Sequence, residues 1–134
     1  MPAHFTVEAL PVSVYDSNEA LGQAAAQEFA AHMTQAIDER GEAAVILATG
    51  NSQLSFIQAV HTHTDIAWDR VTVFHMDEYI GLPADHPASF RRWMRERVLE
   101  AFQPKALHTI EGDAPDIPAE LARYAACWKR RSPS

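Results

Sequence analysis

The chain is short of cysteine, glycine and positive charge, and each shortage excludes something. Cys127 is the single cysteine in 134 residues, so no disulfide can form within the chain. A reducing, cytoplasmic location is the default reading of such a sequence. Basic residues number 11 against 18 acidic ones, a net charge of −7. That balance disfavours a nucleic-acid partner, which is met by a basic face. The five glycines never assemble into a G-x-G-x-x-G or a Walker sequence. No apolar run approaches the ~20 residues of a membrane-spanning helix, and the residues from Met1 to Phe5 lack the basic and apolar regions of a secretory leader. A small phosphorylated ligand remains compatible with all of this, because backbone N–H groups at a helix start hold phosphate without a basic surface.

What is present is an ordinary globular composition, 47% apolar and 22% charged, long enough for one core. The most informative stretch is Val71-Thr72-Val73-Phe74-His75-Met76-Asp77-Glu78-Tyr79. Its β-branched apolar start predicts a strand buried on both faces, as in a parallel sheet. Its end carries two adjacent carboxylates, and ligands of open α/β sheets bind beyond the carboxyl ends of the strands. Before it, Val12 to Tyr15 reads as a first strand. Asp16 with Glu19 has capping-box spacing, with Ser17 as an alternative cap. A helix then runs to about Arg40, with Leu21, Ala25, Phe29, Met33 and Ile37 as its apolar stripe and Gly41 as its C-terminal glycine. Ala43 to Ala48 is another buried strand. A helix follows from Gln53 to about His63, burying Phe56, Ile57 and Val60.

After the Ile80–Pro87 loop, Pro87 is expected in the first turn of a helix carrying Phe90, Trp93, Met94, Arg97, Val98 and Ala101, ended by Pro104. Ala106 to Ile110 reads as a short strand. Pro118 opens a last helix whose stripe is Leu121, Tyr124, Ala125 and Trp128. Alternation of strands and helices predicts a Rossmann-like, open, mostly parallel sheet with flanking helices. No strand follows the last helix, so the sheet is expected to be truncated, with an exposed edge that invites association.

Two places carry candidate chemistry. The loop Thr49-Gly50-Asn51-Ser52 joins a buried strand to a helix and offers hydroxyls and free N–H groups to a phosphate. Its bland alternative is a plain helix cap by Ser52 or Asn51. Asp77 and Glu78 are candidates for acid–base work, because burial behind an apolar strand raises a carboxylate's pKa. Their bland alternative is a solvated pair. His75 with Asp77 and Glu78, and His61 with His63, lack a recognised metal-ligand spacing, so no metal is expected. Phe90, Trp93 and Trp128 read as core aromatics, and His86 as serving its loop. Arg91, Arg92, Arg95 and Arg97 read as a mostly solvated face, with one placed to reach an anion.

The run Phe74–Pro83, followed by Asp85-His86-Pro87-Ala88-Ser89-Phe90 and later by Gly112-Asp113-Ala114-Pro115-Asp116-Ile117, resembles the signature of the glucosamine-6-phosphate deaminase/isomerase family. The resemblance implies conversion of glucosamine 6-phosphate to fructose 6-phosphate and ammonia without an organic cofactor. It implies Asp77 as the base that moves a proton between C2 and C1 of the opened sugar. It also implies Thr49, Gly50, Asn51 and Ser52 as the phosphate loop, with Glu78 a substrate-binding neighbour. The related 6-phosphogluconolactonases typically carry Asp-Glu-Arg where this chain has Asp77-Glu78-Tyr79, which favours the deaminase branch.

Family members are roughly twice this length. Residues 1–134 are therefore expected to be the N-terminal part of such a domain, inactive alone and lacking the ring-opening histidine. A homo-oligomer or a complementing chain is the partner this implies. The rival readings are a non-catalytic sugar-phosphate-binding module, a lactonase, and a product with no stable function.

Overall fold

A computed structural model describes residues 2–130. Five strands and five α-helices follow in the order β1 (Ala3–Val7), β2 (Leu10–Val14), α1 (Asn18–Arg40), β3 (Ala43–Leu47), α2 (Leu54–Val60), β4 (Val71–His75), α3 (Phe90–Met94), α4 (Glu100–Phe102), β5 (Ala106–His108) and α5 (Ile117–Lys129). A π-helical turn, Arg95–Leu99, joins α3 to α4. The stretch from 131 to 134 lies outside the described residues.

The expected parallel sheet is present, in the order β3-β4-β5. β3 pairs with β4 in parallel, from Ala43 against Val71 to Leu47 against His75. β5 pairs with the other edge of β4, Val73 against Leu107. Every residue of β4 is buried, because successive side chains point to opposite faces and both faces are covered. Val71 and Val73 join the core formed with α1 and α2. On the other face Phe74 meets Tyr124 and Trp128 of α5 edge-on.

The first strand departs from expectation. The Val12–Tyr15 segment belongs to β2, which pairs antiparallel with β1, a strand the sequence reading missed. The register sets Ala3 against Val14, Phe5 against Val12 and Val7 against Leu10. Opposed residues share a face, so one face of the hairpin is apolar throughout. The hairpin forms its own two-stranded sheet.

Helix α1 is capped by Ser17, whose hydroxyl accepts from Ala20 N at 3.0 Å, rather than by Asp16. It ends at Gly41, whose φ of 79° lets its N–H return to Ile37 O. The expected stripe is rotated. Gly22, Ala26, Ala30, Met33 and Ala36 are buried, while Leu21 is 49% exposed. The reason is close approach to α2, since a Cβ on Gly22 would lie 2.6 Å from the backbone of Ser55. Small residues face the neighbouring helix, and the larger Phe29 and Ile37 pack at its margin. Two further helix expectations shift. α3 begins at Phe90 with Ser89 as its cap, so Pro87 precedes the helix instead of lying in its first turn, and the π turn leaves Arg97 and Ala101 exposed while Met94 and Val98 are buried.

The α1–α2 contact yields the first test. Gly22→Ala should lose about 1–3 kcal/mol through overpacking, although alanine alone favours a helix by about 1 kcal/mol over glycine. Urea unfolding reads the sign. A more stable variant would contradict the close approach.

Candidate active site

The register that pairs Leu47 with His75 sets Thr49 and Asp77 level, each two residues past the end of adjacent parallel strands. The ladder continues beyond the strands, with Met76 N donating to Leu47 O at 3.2 Å. Such strands lie about 4.8 Å apart, so the loop and the acid leave the sheet as neighbours at its carboxyl end. Gly50 adopts a φ of 104° there, a value that side-chain-bearing residues avoid. Asn51 and Ser52 are exposed, and Asn51–Gln53 forms a single 3₁₀ turn with no side-chain cap. The bland alternative of a side-chain helix cap is therefore not what this loop does. The hydroxyl of Thr49 is buried without a hydrogen-bond partner. Such a group is costly unless a ligand or water completes it. Gly50 and Asn51 also line a cleft with Tyr79, Phe90, Arg92 and Arg97.

Asp77 and Glu78 have opposite fates. Asp77 is exposed, not buried behind the strand as expected. Glu78 turns inward, its side chain fully buried. Its Oε1 accepts from Tyr79 N and Phe90 N, both at 2.9 Å. Its Oε2 accepts from the Ser89 hydroxyl and from Arg91 N, both at 2.8 Å, and from Arg91 Nε at 3.3 Å. One carboxylate thus caps α3 from a distance, using the helix's orphan N–H groups and its positive end. Burial opposes its ionisation, but the N–H groups of Phe90, Arg91 and Tyr79 and the Ser89 hydroxyl win, holding it below the ordinary value of 4.5. With both oxygens committed, Glu78 has the geometry of a brace rather than the expected substrate contact.

Arg91 extends the brace. Its guanidinium donates to Leu82 O at 2.7 Å and to Asp113 Oδ1 at 3.0 Å. Gly81 N donates to Gly112 O at 2.8 Å. The loop after β4, the start of α3 and the segment before α5 are therefore tied together. His86 serves this loop as expected, its Nδ1 accepting from Ala88 N. Sequence reasoning missed Ser89 and Arg91 as partners of Glu78. A serine directly before the helix, with an arginine two residues on, was the available signal.

His75, at the end of β4, is buried. Its Nδ1 accepts from Ile110 N at 3.3 Å, so its Nε2 carries the proton, and that nitrogen is buried without a partner. Burial, the largest influence, lowers its pKa against the opposing pull of Glu78 and Asp77. The Tyr124 hydroxyl donates to His75 O, and burial pushes that phenol up to about 12. His61 packs its ring against Phe102, tilted by 32° at 4.5 Å between centroids. Among the described residues no three His, Cys, Asp or Glu side chains converge to hold a metal, and no helix is long and apolar enough to cross a membrane.

An open parallel sheet with a hydroxyl-bearing loop and an exposed acid beyond the ends of adjacent strands defines an α/β protein of the class whose members bind ligands beyond the strand ends. A sequence model of the family described as glucosamine-6-phosphate isomerases/6-phosphogluconolactonase matches residues 16–133. The chain belongs to that family. It is similar to a glucosamine-6-phosphate deaminase of an Exiguobacterium species, 40% identical over 78 residues, which are 58% of this chain and 30% of the relative. A Proteus mirabilis glucosamine-6-phosphate deaminase is 38% identical over 85 residues, 60% of this chain and 32% of the relative. Among solved structures, a monomeric glucosamine-6-phosphate deaminase aligns with a TM-score of 0.71 at 27% identity, over 87% of this chain and 48% of that one. A 6-phosphogluconolactonase from Shewanella baltica aligns with a TM-score of 0.76 at 25% identity, over 88% and 50%. The chain thus spans about a third of these curated relatives and about half of these solved ones.

Two tests follow from the brace and from His75. A Cβ on Gly112 would lie 2.0 Å from Tyr79 O, so Gly112→Ala should cost about 3 kcal/mol in urea unfolding, and an unchanged midpoint would contradict the contact. The pH dependence has a definite sign. His75 is held below 6.5 in the folded state, so its contribution is complete above 6.5 and declines as pH falls below it. Glu78 and Glu120 are held below 4.5, the latter chiefly by the Arg123 side chain, so theirs is lost as pH falls below 4.5 through their folded values. Stability measured by denaturant at successive pH values should fall in two stages on acidification. A rise between about pH 7 and pH 5 would contradict the burial of neutral His75.

Proposed function

We propose that residues 1–134 form the N-terminal part of a glucosamine-6-phosphate deaminase-type domain, supplying its proton-transfer acid and its phosphate loop. The observation that carries this is that Thr49 and Asp77 each follow by two residues the paired ends, Leu47 and His75, of adjacent parallel strands, together with the unpartnered Thr49 hydroxyl. The loop of Thr49, Gly50, Asn51 and Ser52 receives the sugar phosphate. Thr49 donates its hydroxyl, and the positive φ of Gly50 turns the backbone toward the anion.

Asp77, exposed at the crevice, takes the proton from C2 of the open-chain amino sugar. The C2–H electron pair forms the C1–C2 double bond, and the aldehyde oxygen takes a proton from water, which the later hydrolysis of the protonated imine returns. Return of the proton to C1 leaves an imine at C2. Water adds to that carbon and ammonia departs, giving fructose 6-phosphate. A carboxylate suffices as base because the amino-enol delocalises the charge that builds up at C2. Glu78 does not touch the sugar in this scheme. It fixes the backbone that begins at Tyr79, two residues beyond Asp77.

A lactonase is the second reading, favoured by the 0.76 TM-score of the Shewanella baltica enzyme. The Asp77-Glu78-Tyr79 sequence and the deaminase names of the curated relatives weigh against it.

Fructose 6-phosphate, as a ligand of the native state alone, should raise the thermal midpoint of this chain, by the equivalent of about 2.7 kcal/mol at a hundredfold excess over Kd. Thr49→Val should shrink the shift and Asp77→Asn should preserve it. No deaminase or lactonase turnover is expected from the chain alone. A cooperative transition that fructose 6-phosphate leaves unmoved would overturn the phosphate-loop assignment.

A further inference from the structure

Three arginines of α3 and its π turn have different fates. Arg91 is consumed by Glu78 and Asp113. Arg92 pairs with Glu96 at 2.9 Å and donates to Asp85 O at 3.1 Å. Arg97 has no carboxylate partner among the described residues. Its guanidinium stands 5.6 Å from the centre of the Trp93 ring. Attraction to a ring face holds a cation in place without neutralising it. Arg97 and Trp93 line a cleft of about 530 Å³ with Gly50, Asn51, Tyr79 and Arg92, a size within the range of ~300–1,000 Å³ common to small-molecule sites. The charged groups of its wall are Arg92, Arg97 and Glu96, so the cleft is positive in a chain of net charge −7. The indole N–H of Trp93 is buried without an acceptor. An unpaired cation and an unmet donor in one wall are both complemented by an acceptor-rich anion. Gly50 and Asn51 line this cleft and Asp77 does not, so it belongs to the phosphate end of the proposed site and not to its reacting end.

We infer that Arg97, resting over Trp93, ion-pairs with a dianionic phosphate monoester held by the Thr49–Ser52 loop, and that Glu96 limits the charge of this cleft by occupying Arg92. A phosphate monoester carries close to two negative charges at neutral pH. The loop meets it with a hydroxyl and backbone N–H groups but no charge, and no Lys or Arg occurs anywhere between Arg40 and Arg70. The cation must come from another element, and α3 with its π turn is the element that shares the cleft with Gly50 and Asn51. There Arg91 and Arg92 already have carboxylates, which leaves Arg97. A guanidinium suits the task, because its planar fork donates two N–H groups to two phosphate oxygens at once. The π turn of Arg95–Leu99 contributes by leaving Arg97 exposed instead of on the buried stripe, and such turns recur at functional sites. This role rests on the proposed reading of the loop, and adds to it the charge that the loop lacks.

Calorimetric titration of the 134-residue chain with fructose 6-phosphate, and separately with inorganic phosphate, tests the assignment. Arg97→Met keeps an apolar stem over Trp93 and removes the charge, and should weaken both ligands about tenfold or more. Arg97→Lys should recover part of that loss. Glu96→Gln frees Arg92 and should tighten both ligands about threefold. Both positions are exposed, and the ligand-free unfolding midpoint of each variant should match that of the wild type. Added salt should weaken binding to the wild type more steeply than to Arg97→Met. Wild-type affinity in Arg97→Met would overturn the role of Arg97 and leave the phosphate loop standing. Weaker binding by Arg97→Met with a lowered unfolding midpoint, and no tightening by Glu96→Gln, would make Arg97 structural and overturn the inference. Arg97-dependent binding of inorganic phosphate without binding of fructose 6-phosphate would uphold the anion cleft and count against the sugar-phosphate reading. Binding of neither ligand by the wild type would overturn both.

Discussion

The carboxylate of Glu78 is the constraint on which the crevice depends. A buried anion is tolerated only when its lone pairs are satisfied, and this one accepts from three backbone N–H groups, a hydroxyl and a guanidinium. Satisfying it dictates where the chain goes after β4. The loop from Tyr79 to Ser89 must return to present the start of α3, and Arg91 must lie alongside. Through Arg91 and the Gly81–Gly112 contact, the segment before α5 is drawn into the same assembly. A network of this kind rigidifies when complete and is costly when partly made.

That brace and the sheet register divide the labour. Pairing of Leu47 with His75 decides the height at which Thr49 and Asp77 emerge. Glu78, one residue later, anchors the chain, so that Asp77 stands in solvent between Met76, which donates to Leu47 O, and Tyr79, which donates to the buried carboxylate. The unpartnered hydroxyl of Thr49 and the unpartnered Nε2 of His75 lie at the ends of the same two strands.

Much of this was legible in the sequence, and for physical reasons. The buried run from Val71 to His75 could only be a central parallel strand, and Gly41, Pro104 and Pro118 mark helix ends that backbone geometry requires. The adjacent acids marked the carboxyl end of the central strand. What the sequence did not reveal depended on tertiary distance. The face that α1 buries is set by how closely α2 approaches Gly22, which overrides the larger side chains in the stripe. The hairpin partner of β2 was overlooked, although Ala3, Phe5 and Val7 alternate with His4 and Thr6 in a strand's period of two. The different fates of Asp77 and Glu78 were invisible, since nothing local distinguishes neighbouring carboxylates until Ser89 and Arg91 are brought to one of them.

The most direct test of this account is site-resolved amide hydrogen exchange in the wild-type chain and in Glu78→Gln. Glutamine keeps the shape of the side chain but loses the charge and one acceptor oxygen. The account predicts faster exchange at Tyr79, Phe90 and Arg91, spreading to Gly81, while Val73 and Phe74 in β4 keep their protection. Unchanged exchange at those loop and helix-start amides would show that the crevice is held without Glu78, and would contradict the account.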